Sequence, residues 1–350
     1  MSLPPFGQLP NLRSLHLAIS PNIRKIGREF YGNGGTCTKL RNIHLESMES
    51  LEEWWTTQSG GENEEFLIPN LHTLILKDCP KLKFLPYPPS MHWLLDNSDN
   101  VFPERGFGNL QSSVVPFKMT IKNCNSPNKW QRLEHFPTLE EFIVRSCSSL
   151  RTLPEAIGCF TSLVTLYLMS LEELGTLPEC LGRLTSLEDV IVLDCPKLIS
   201  FPESMKNLTA LKTLCLKGCD GLEILPEGIG QLISLQRFYL SVCYNLTSFP
   251  ESMKNLISLR IIWLNVCPGL DVFPEWLGQL TTLQELSIIR CPNLTSLPQS
   301  IQNLAELKKL HIEDCPILLQ RCQGQDAHKI SHIPELTLRN NEKMELPEAL

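Results

Sequence analysis

Residues 211–226 read LKTLCLKGCDGLEILP, with Leu211, Leu214 and Leu216 leading to Cys219 and then to Leu222, Leu225 and Pro226. The same string returns at Leu283, Leu286, Ile288, Cys291, Leu294, Leu297 and Pro298. Its form is LxxLxLxxCxxLxxLP. Cys195, Cys219, Cys243, Cys267, Cys291 and Cys315 lie 24 residues apart, and Cys147 joins the series when Leu171 fills the slot between. Eight coils are thus in register. The LxL pair reads as a short strand and the Cys slot as the turn into the next side of the coil, which is the leucine-rich-repeat pattern. No 24-residue unit can bury its own leucines, but stacked units bury one another's, at roughly 1.5–3 kcal/mol per enclosed aliphatic side chain.

Weaker coils extend the array toward the N-terminus, through Leu12, Leu15, Leu17 and Ile23; Leu40, Ile43, Leu45 and Leu51; Leu71, Leu74, Leu76, Cys79 and Leu82; and Met119, Ile121 and Cys124. The expected fold is therefore an α/β leucine-rich-repeat solenoid, a horseshoe of about twelve coils with a parallel concave sheet. Segments such as PEGIGQL (226–232) and PEWLGQL (274–280) begin with Pro and contain Gly, which suits the short helix, 3-10 or turn segments of a convex side. Four regions are expected. Residues 1–85 hold irregular repeats with a polar, acidic loop at 56–66, and 86–116 form a proline-containing island without a clear coil. Residues 117–318 hold the regular repeats, and 319–350 a C-terminal cap.

Composition narrows the function. A net charge of −7 argues against a nucleic-acid binder, and no run of about 18 apolar residues suggests a membrane span. The N-terminus shows no basic region followed by an apolar core, so a cytoplasmic, or nuclear, location and a monomeric state are expected. The slot cysteines Cys79, Cys124, Cys147, Cys195, Cys219, Cys243, Cys267, Cys291 and Cys315 fall one per coil, with no CxxC or CxxH cluster. They read as buried, reduced and structural, not as zinc ligands. No GxSxG, HExxH or GxxxxGK[ST] motif occurs, so no catalytic residue, cofactor site or metal site is expected. The GNGG run at 32–35 reads as a turn. The sequons at Asn207, Asn245 and Asn293 read as coincidences of the repeat consensus.

The informative positions are those the repeat leaves unconstrained. Alternation along a strand sends the LxL residues to the core and the residue between them to solvent. That column runs His16, His44, Ile75, Thr120, Ile143, Tyr167, Ile191, Cys215, Tyr239, Trp263, Ser287 and His311. Tyr167, Tyr239 and Trp263 are amphipathic anchors of the kind that dominate interfaces. Ile143, Met169, Ile191, Ile261 and Ile289 add apolar area. Arg145, Asp189, Asp194, Lys217, Arg237, Arg260, Glu285 and Arg290 place both charge signs around them, enough to orient a protein partner. The competing explanations are the β-propensity of strand positions and an ordinary solvated face.

The combined motif LPExIGxLxSLxxLxLxxCxxLxxLP, seen from Leu225 to Leu246, resembles the C-terminal repeat domain of plant coiled-coil nucleotide-binding leucine-rich-repeat disease resistance proteins. The opening LPPFGQLPNL (3–12) with IGREFYG (26–32), and the closing CQGQDAHKISHIP (322–334), are similar to family stretches, with Ala327 standing where relatives usually carry Trp. The resemblance implies recognition of a pathogen effector or of a host protein it modifies, and restraint of a nucleotide-binding module in cis. Relatives carry a coiled coil and a nucleotide-binding module before the repeats, whereas these residues begin within the repeats, so the chain is expected to be either the sensor end of a switch or a stand-alone scaffold. Two other readings stay open: an intracellular adaptor for signalling proteins, whose repeats usually have 23 residues and Asn in the slot, and the substrate-receptor arm of a ubiquitin ligase.

Overall fold

The computed structural model describes all residues except 1–2, 33–34, 62–63, 99–100, 102–116, 125–129, 131–132, 134–135, 137 and 341–350. The chain forms two compact units, Met1–Glu172 and Glu173–Leu350. The first contains β1 (Ser14–Ala18), β2 (Lys25–Ile26), β3 (Asn42–Glu46), β4 (Glu53–Trp55), β5 (Thr73–Lys77), β6 (Lys83–Leu85), β7 (His92–Asp96), β8 (Lys118–Lys122), β9 (Glu141–Arg145) and β10 (Thr165–Met169). Seven of them, among the described residues, pair in parallel in the order β1-β3-β5-β7-β8-β9-β10, and β2-β4-β6 make a separate small parallel sheet. The second unit stacks β11 (Asp189–Leu193), β12 (Thr213–Lys217), β13 (Arg237–Ser241), β14 (Ile261–Asn265), β15 (Glu285–Ile289), β16 (Lys309–Glu313) and β17 (Glu335–Arg339) in chain order, all parallel.

The expected fold class holds, with two more repeat strands than the sequence pattern reveals. One is β7, inside the segment read as having no clear coil. There Trp93 replaces a strand leucine and Ser98 replaces the slot cysteine, so the consensus is invisible while its physics is kept. The Ser98 hydroxyl donates to Asp96 O at 2.9 Å and accepts the Cys79 N–H at 3.2 Å, the same bonds a slot thiol makes elsewhere. The other is β17, within the expected cap, where Ile333, Leu336 and Leu338 repeat the LxxLxL spacing. Before it the chain makes two short helices, α1 (Pro316–Gln323) and α2 (Ala327–Ile330). They are tied by Asp326, whose carboxylate meets Arg321 at 2.9 Å and Lys329 at 3.0 Å. Pro103 and Gly106 of the expected island, and part of the 56–66 loop and of the GNGG run, lie outside the described residues.

The inward rows are dry. Leu214, Leu216, Phe238, Leu240, Leu264, Leu286 and Ile288 are fully buried, and so are the nine slot cysteines, at 0–1% exposure. Each coil closes through the residue just before its slot, held at a left-handed φ: 55° at Asp194, 64° at Gly218, 55° at Val242 and Val266, 50° at Arg290. Its N–H reaches the carbonyl that ends the next strand, as in Asp194 to Lys217 at 2.7 Å and Val242 to Asn265 at 2.8 Å. For a β-branched valine that conformation costs about 1–2 kcal/mol, offset by a buried backbone group kept bonded.

The thiols continue the pattern. Cys147, Cys195, Cys243, Cys291 and Cys315 each donate to the carbonyl two residues earlier, at 3.2–3.5 Å. The sulfurs of Cys147 and Cys315 accept the N–H of Cys124 and Cys291 from the preceding coil, both at 3.3 Å. Burial pushes the Cys79 and Cys243 thiols up to about 11. They stay protonated at neutral pH and act as small hydrogen-bonding hydrophobes.

On the far side from the sheet, 3-10 turns such as Glu179–Arg183, Glu227–Gln231 and Glu275–Gln279 follow a proline in each regular coil. The glutamate of the LPE motif binds the amide of the next coil's turn: Glu179 to Ser204 N and Glu227 to Ser252 N at 3.1 Å, and Glu275 to Ser300 N at 3.0 Å. From Glu179 on, glycine-bearing turns face serine-bearing ones, and each glycine is there for a steric reason. A methyl built on Gly182, Gly230 or Gly278 would lie 2.5, 2.3 or 2.4 Å from the backbone oxygen of Ser204, Ser252 or Ser300. Gly230→Ala is therefore expected to cost about 1–3 kcal/mol of stability by overpacking. Urea denaturation measures it, and a loss below about 0.5 kcal/mol, the size of an ordinary surface substitution, would show that the turns slide apart easily.

Candidate functional site: the solvent face of the repeat sheet

The strand register places the unconstrained column as a continuous row. In the first unit it runs His16, His44, Ile75, Leu94, Thr120, Ile143 and Tyr167. In the second it runs Ile191, Cys215, Tyr239, Trp263, Ser287, His311 and Thr337. Leu94 and Thr337 belong to the two strands the consensus hides.

In the first unit Ile143 sits opposite Tyr167, with Arg145 opposite Met169. Three of these are half-buried, and Arg145 is exposed. The second unit is the more structured surface. Tyr239 and Trp263 meet edge to face, ring centroids 6.3 Å apart at 66°. Their row neighbours, Cys215 on one side and Ser287 on the other, are small, so the two rings stand as a ridge between two dips. Both rings are only half-buried. An exposed aromatic pair on a rigid strand has little conformational entropy left to lose on binding.

Beside the ridge, the row of first strand residues reads Asp189, Thr213, Arg237, Ile261, Glu285 and Lys309. Arg237 is pinned across two coils. Its guanidinium donates to Thr213 Oγ1 from Nε at 3.0 Å and from Nη2 at 2.8 Å, and lies 3.7 Å from Asp189. Glu285 takes Lys309 at 3.3 Å and the Ser287 hydroxyl at 3.3 Å. In the row of last strand residues, Asn265 donates to Ser241 Oγ at 3.1 Å, and Lys217 is exposed. His311 Nε2 lies 2.9 Å from Glu313, whose carboxylate also meets Arg339 at 3.0 Å.

The partner-face residues named from the sequence thus sit on strands, on the solvent side, except Asp194, Arg260 and Arg290. Arg290 is a corner residue. It occupies the left-handed turn after β15, 3.6 Å from Asp314, because the coil must reverse there. The sequence reading missed Thr213, Ser241, Asn265, Lys309 and Glu313, polar residues that fix the charges in place. Their signal was available: each occupies a strand position equivalent to a residue already chosen. The sequon residues Asn245 and Asn293 use their amides structurally, donating to Asp220 O and Pro268 O of the preceding coil at 2.7 Å.

Fold and face together define the class: a leucine-rich-repeat scaffold that presents a rigid parallel sheet decorated with aromatic and charged side chains. Residues 203–345 match the family model of a leucine-rich repeat region. Among curated proteins, an RPP13-like disease resistance protein of Arabidopsis thaliana is 30% identical over 167 residues, which is 43% of this chain and 15% of that protein. The disease resistance protein RF45 of the same plant is 36% identical over 84 residues, 24% of this chain and 7% of that protein. The chain therefore carries leucine-rich repeats, it is similar over part of its length to these plant disease resistance proteins, and it spans only a small part of their length. Among solved structures, the repeat domain of the type III effector XopL superposes with a TM-score of 0.53 at 21% identity, covering 71% of this chain and 76% of that one. Toll, from a Drosophila Toll–Spätzle complex, superposes at 0.58 and 17% identity, over 97% of this chain and 50% of that one. These two likenesses concern the fold alone.

Proposed function

We propose that this chain is the recognition module of a plant immune receptor. It binds a protein partner, a pathogen effector or a host protein such an effector modifies, through the Tyr239–Trp263 ridge and the charges around it. It works by binding, without chemistry of its own. A second role follows from the disease-resistance likeness: holding a nucleotide-binding module in its resting state, with partner engagement on the sheet face competing against that restraint. A cytoplasmic setting suits both roles, and among the described residues no helix is long and apolar enough to cross a membrane.

The observation that carries the reading is the aromatic pair. Nothing in the repeat demands aromatic side chains in that row, since Cys215 and Ser287 fill equivalent positions beside them. Tyr and Trp at a pre-organised, half-buried site are the residues on which protein interfaces concentrate their energy. The fixed charges of Arg237, Asp189 and Glu285 would set the partner's orientation more than its affinity.

Site-specific photocrosslinking tests it. A photoreactive phenylalanine is placed at 239 or 263 on the sheet face, and at the exposed 233 or 257 on the loops behind it, in plant cells challenged with a pathogen. The expected result is a discrete protein adduct from 239 and 263 and none from 233 and 257. Adducts only from the loop positions, or equally from all four, would move recognition off the sheet face.

A further inference from the structure

The N-terminal end of the first unit's sheet carries a second, chemically different surface. His16 on β1 and His44 on β3 are opposite in the parallel register. Their rings stack face to face, centroids 4.1 Å apart and planes within 1°. Both Nε2 atoms turn toward one oxygen, Oε2 of Glu46, at 3.5 Å from His16 and 4.0 Å from His44. The other carboxylate oxygen, Oε1, is bound by the Lys77 ammonium of the next strand, so the carboxylate is held with Oε2 aimed at the two imidazoles. Ala18, opposite Glu46 in the register, is exposed and brings only a methyl group.

Two features make this a ligand set and not a chance cluster. The two nitrogens and the carboxylate oxygen lie within 4.8 Å of one another, and among the described residues no other trio of such donors is this close. His44 Nε2 is shielded from solvent and has no hydrogen-bond partner, an orphaned polar atom aimed into the cluster. The second histidine pair of the unit, His72 and His92, lacks this arrangement: its rings are tilted by 44°, and His72 Nδ1 is engaged by the Thr73 hydroxyl.

We propose that His16 Nε2, His44 Nε2 and Glu46 Oε2 bind one divalent transition-metal ion of the zinc class on the solvent face of the first unit. Two imidazoles and a carboxylate are the donors zinc prefers when it keeps one position open, and the open position here faces solvent above Ala18. Tetrahedral zinc with ligands at about 2.0–2.1 Å sets its donors about 3.3 Å apart, so the trio must contract by about 1 Å. A metal lies in the plane of each imidazole that binds it, so the exposed His16 must also rotate out of its parallel stack on His44, a side-chain movement that leaves the strands in place. Lys77 opposes a dication, which makes the site one of moderate affinity, and it also orders the carboxylate.

Equilibrium dialysis of the reduced full chain against Zn²⁺, with Co²⁺ absorption as a second readout, tests the site. The expected result is one ion per chain, with Co²⁺ ligand-field bands and no thiolate charge-transfer band. His16→Ala and Glu46→Gln are each expected to weaken binding at least tenfold while the circular dichroism spectrum stays unchanged, and His72→Ala to leave binding as it was. No saturable binding, a thiolate band, binding unaltered by both cluster substitutions, or binding lost in His72→Ala would each overturn the assignment.

Discussion

Phe238→Ala is expected to lower the stability of the second unit by about 3–5 kcal/mol, the range for emptying a large aromatic site in a packed core. Phe238 is fully buried on β13, flanked in register by the inward Leu214 and Ile262, and packs edge to face on Phe249 with centroids 6.4 Å apart. In a solenoid each coil depends on its neighbours, so the loss should spread to the adjoining coils. Urea denaturation followed by tryptophan fluorescence reads the size of the effect, and hydrogen exchange reads its spread, with the amides of β12 and β14 losing protection along with those of β13. A cost below about 1 kcal/mol would mean that the neighbouring leucines collapse into the void, and that coil stability does not rest on this row.

One residue further along the strand the expectation reverses. Tyr239→Ala and Trp263→Ala should each weaken binding of the partner captured by crosslinking by more than about 1 kcal/mol, a fivefold or larger rise in Kd. The double variant should lose less than the sum, because the two rings already touch edge to face and such pairs couple by about 0.5–1.5 kcal/mol. The cost in stability should not exceed that coupling, since both side chains face solvent. Calorimetric titration gives the affinities and a thermal melt gives the stability. If the melt falls as much as the affinity, the ridge is a packing device and recognition lies elsewhere. The contrast between positions 238 and 239 is the sharper control, because adjacent strand residues share backbone and burial history but point to opposite faces.

Arg237 bears on specificity more than on affinity. Its bonds to Thr213 and proximity to Asp189 hold the guanidinium before any partner arrives. A pre-placed charge of this kind mainly selects orientation and speeds encounter. The exposed Lys217, on the neighbouring strand, offers a charge on a flexible stem instead.

Which side chains face the core, which cysteines close the coils and which residues reach solvent were legible from the 24-residue period alone, because every coil repeats the same local chain geometry and inward direction is a local property. Tyr239, Trp263 and Ile191 could be assigned to one row on that basis. What only the tertiary structure decided is how unlike residues meet between coils. Trp93 and Ser98 complete a coil that the consensus does not show, since a tryptophan can fill a leucine's place and a hydroxyl can make a thiol's hydrogen bonds. Gly230 faces the Ser252 carbonyl across a gap with no room for a methyl. Arg290 turns away from the face into a left-handed corner. His16, His44 and Glu46 converge although His16 and His44 belong to irregular coils outside the 24-residue register. In each case the deciding quantity is a distance between chain segments brought side by side by stacking, and a period read along one dimension carries the direction of a side chain but not what it will find there.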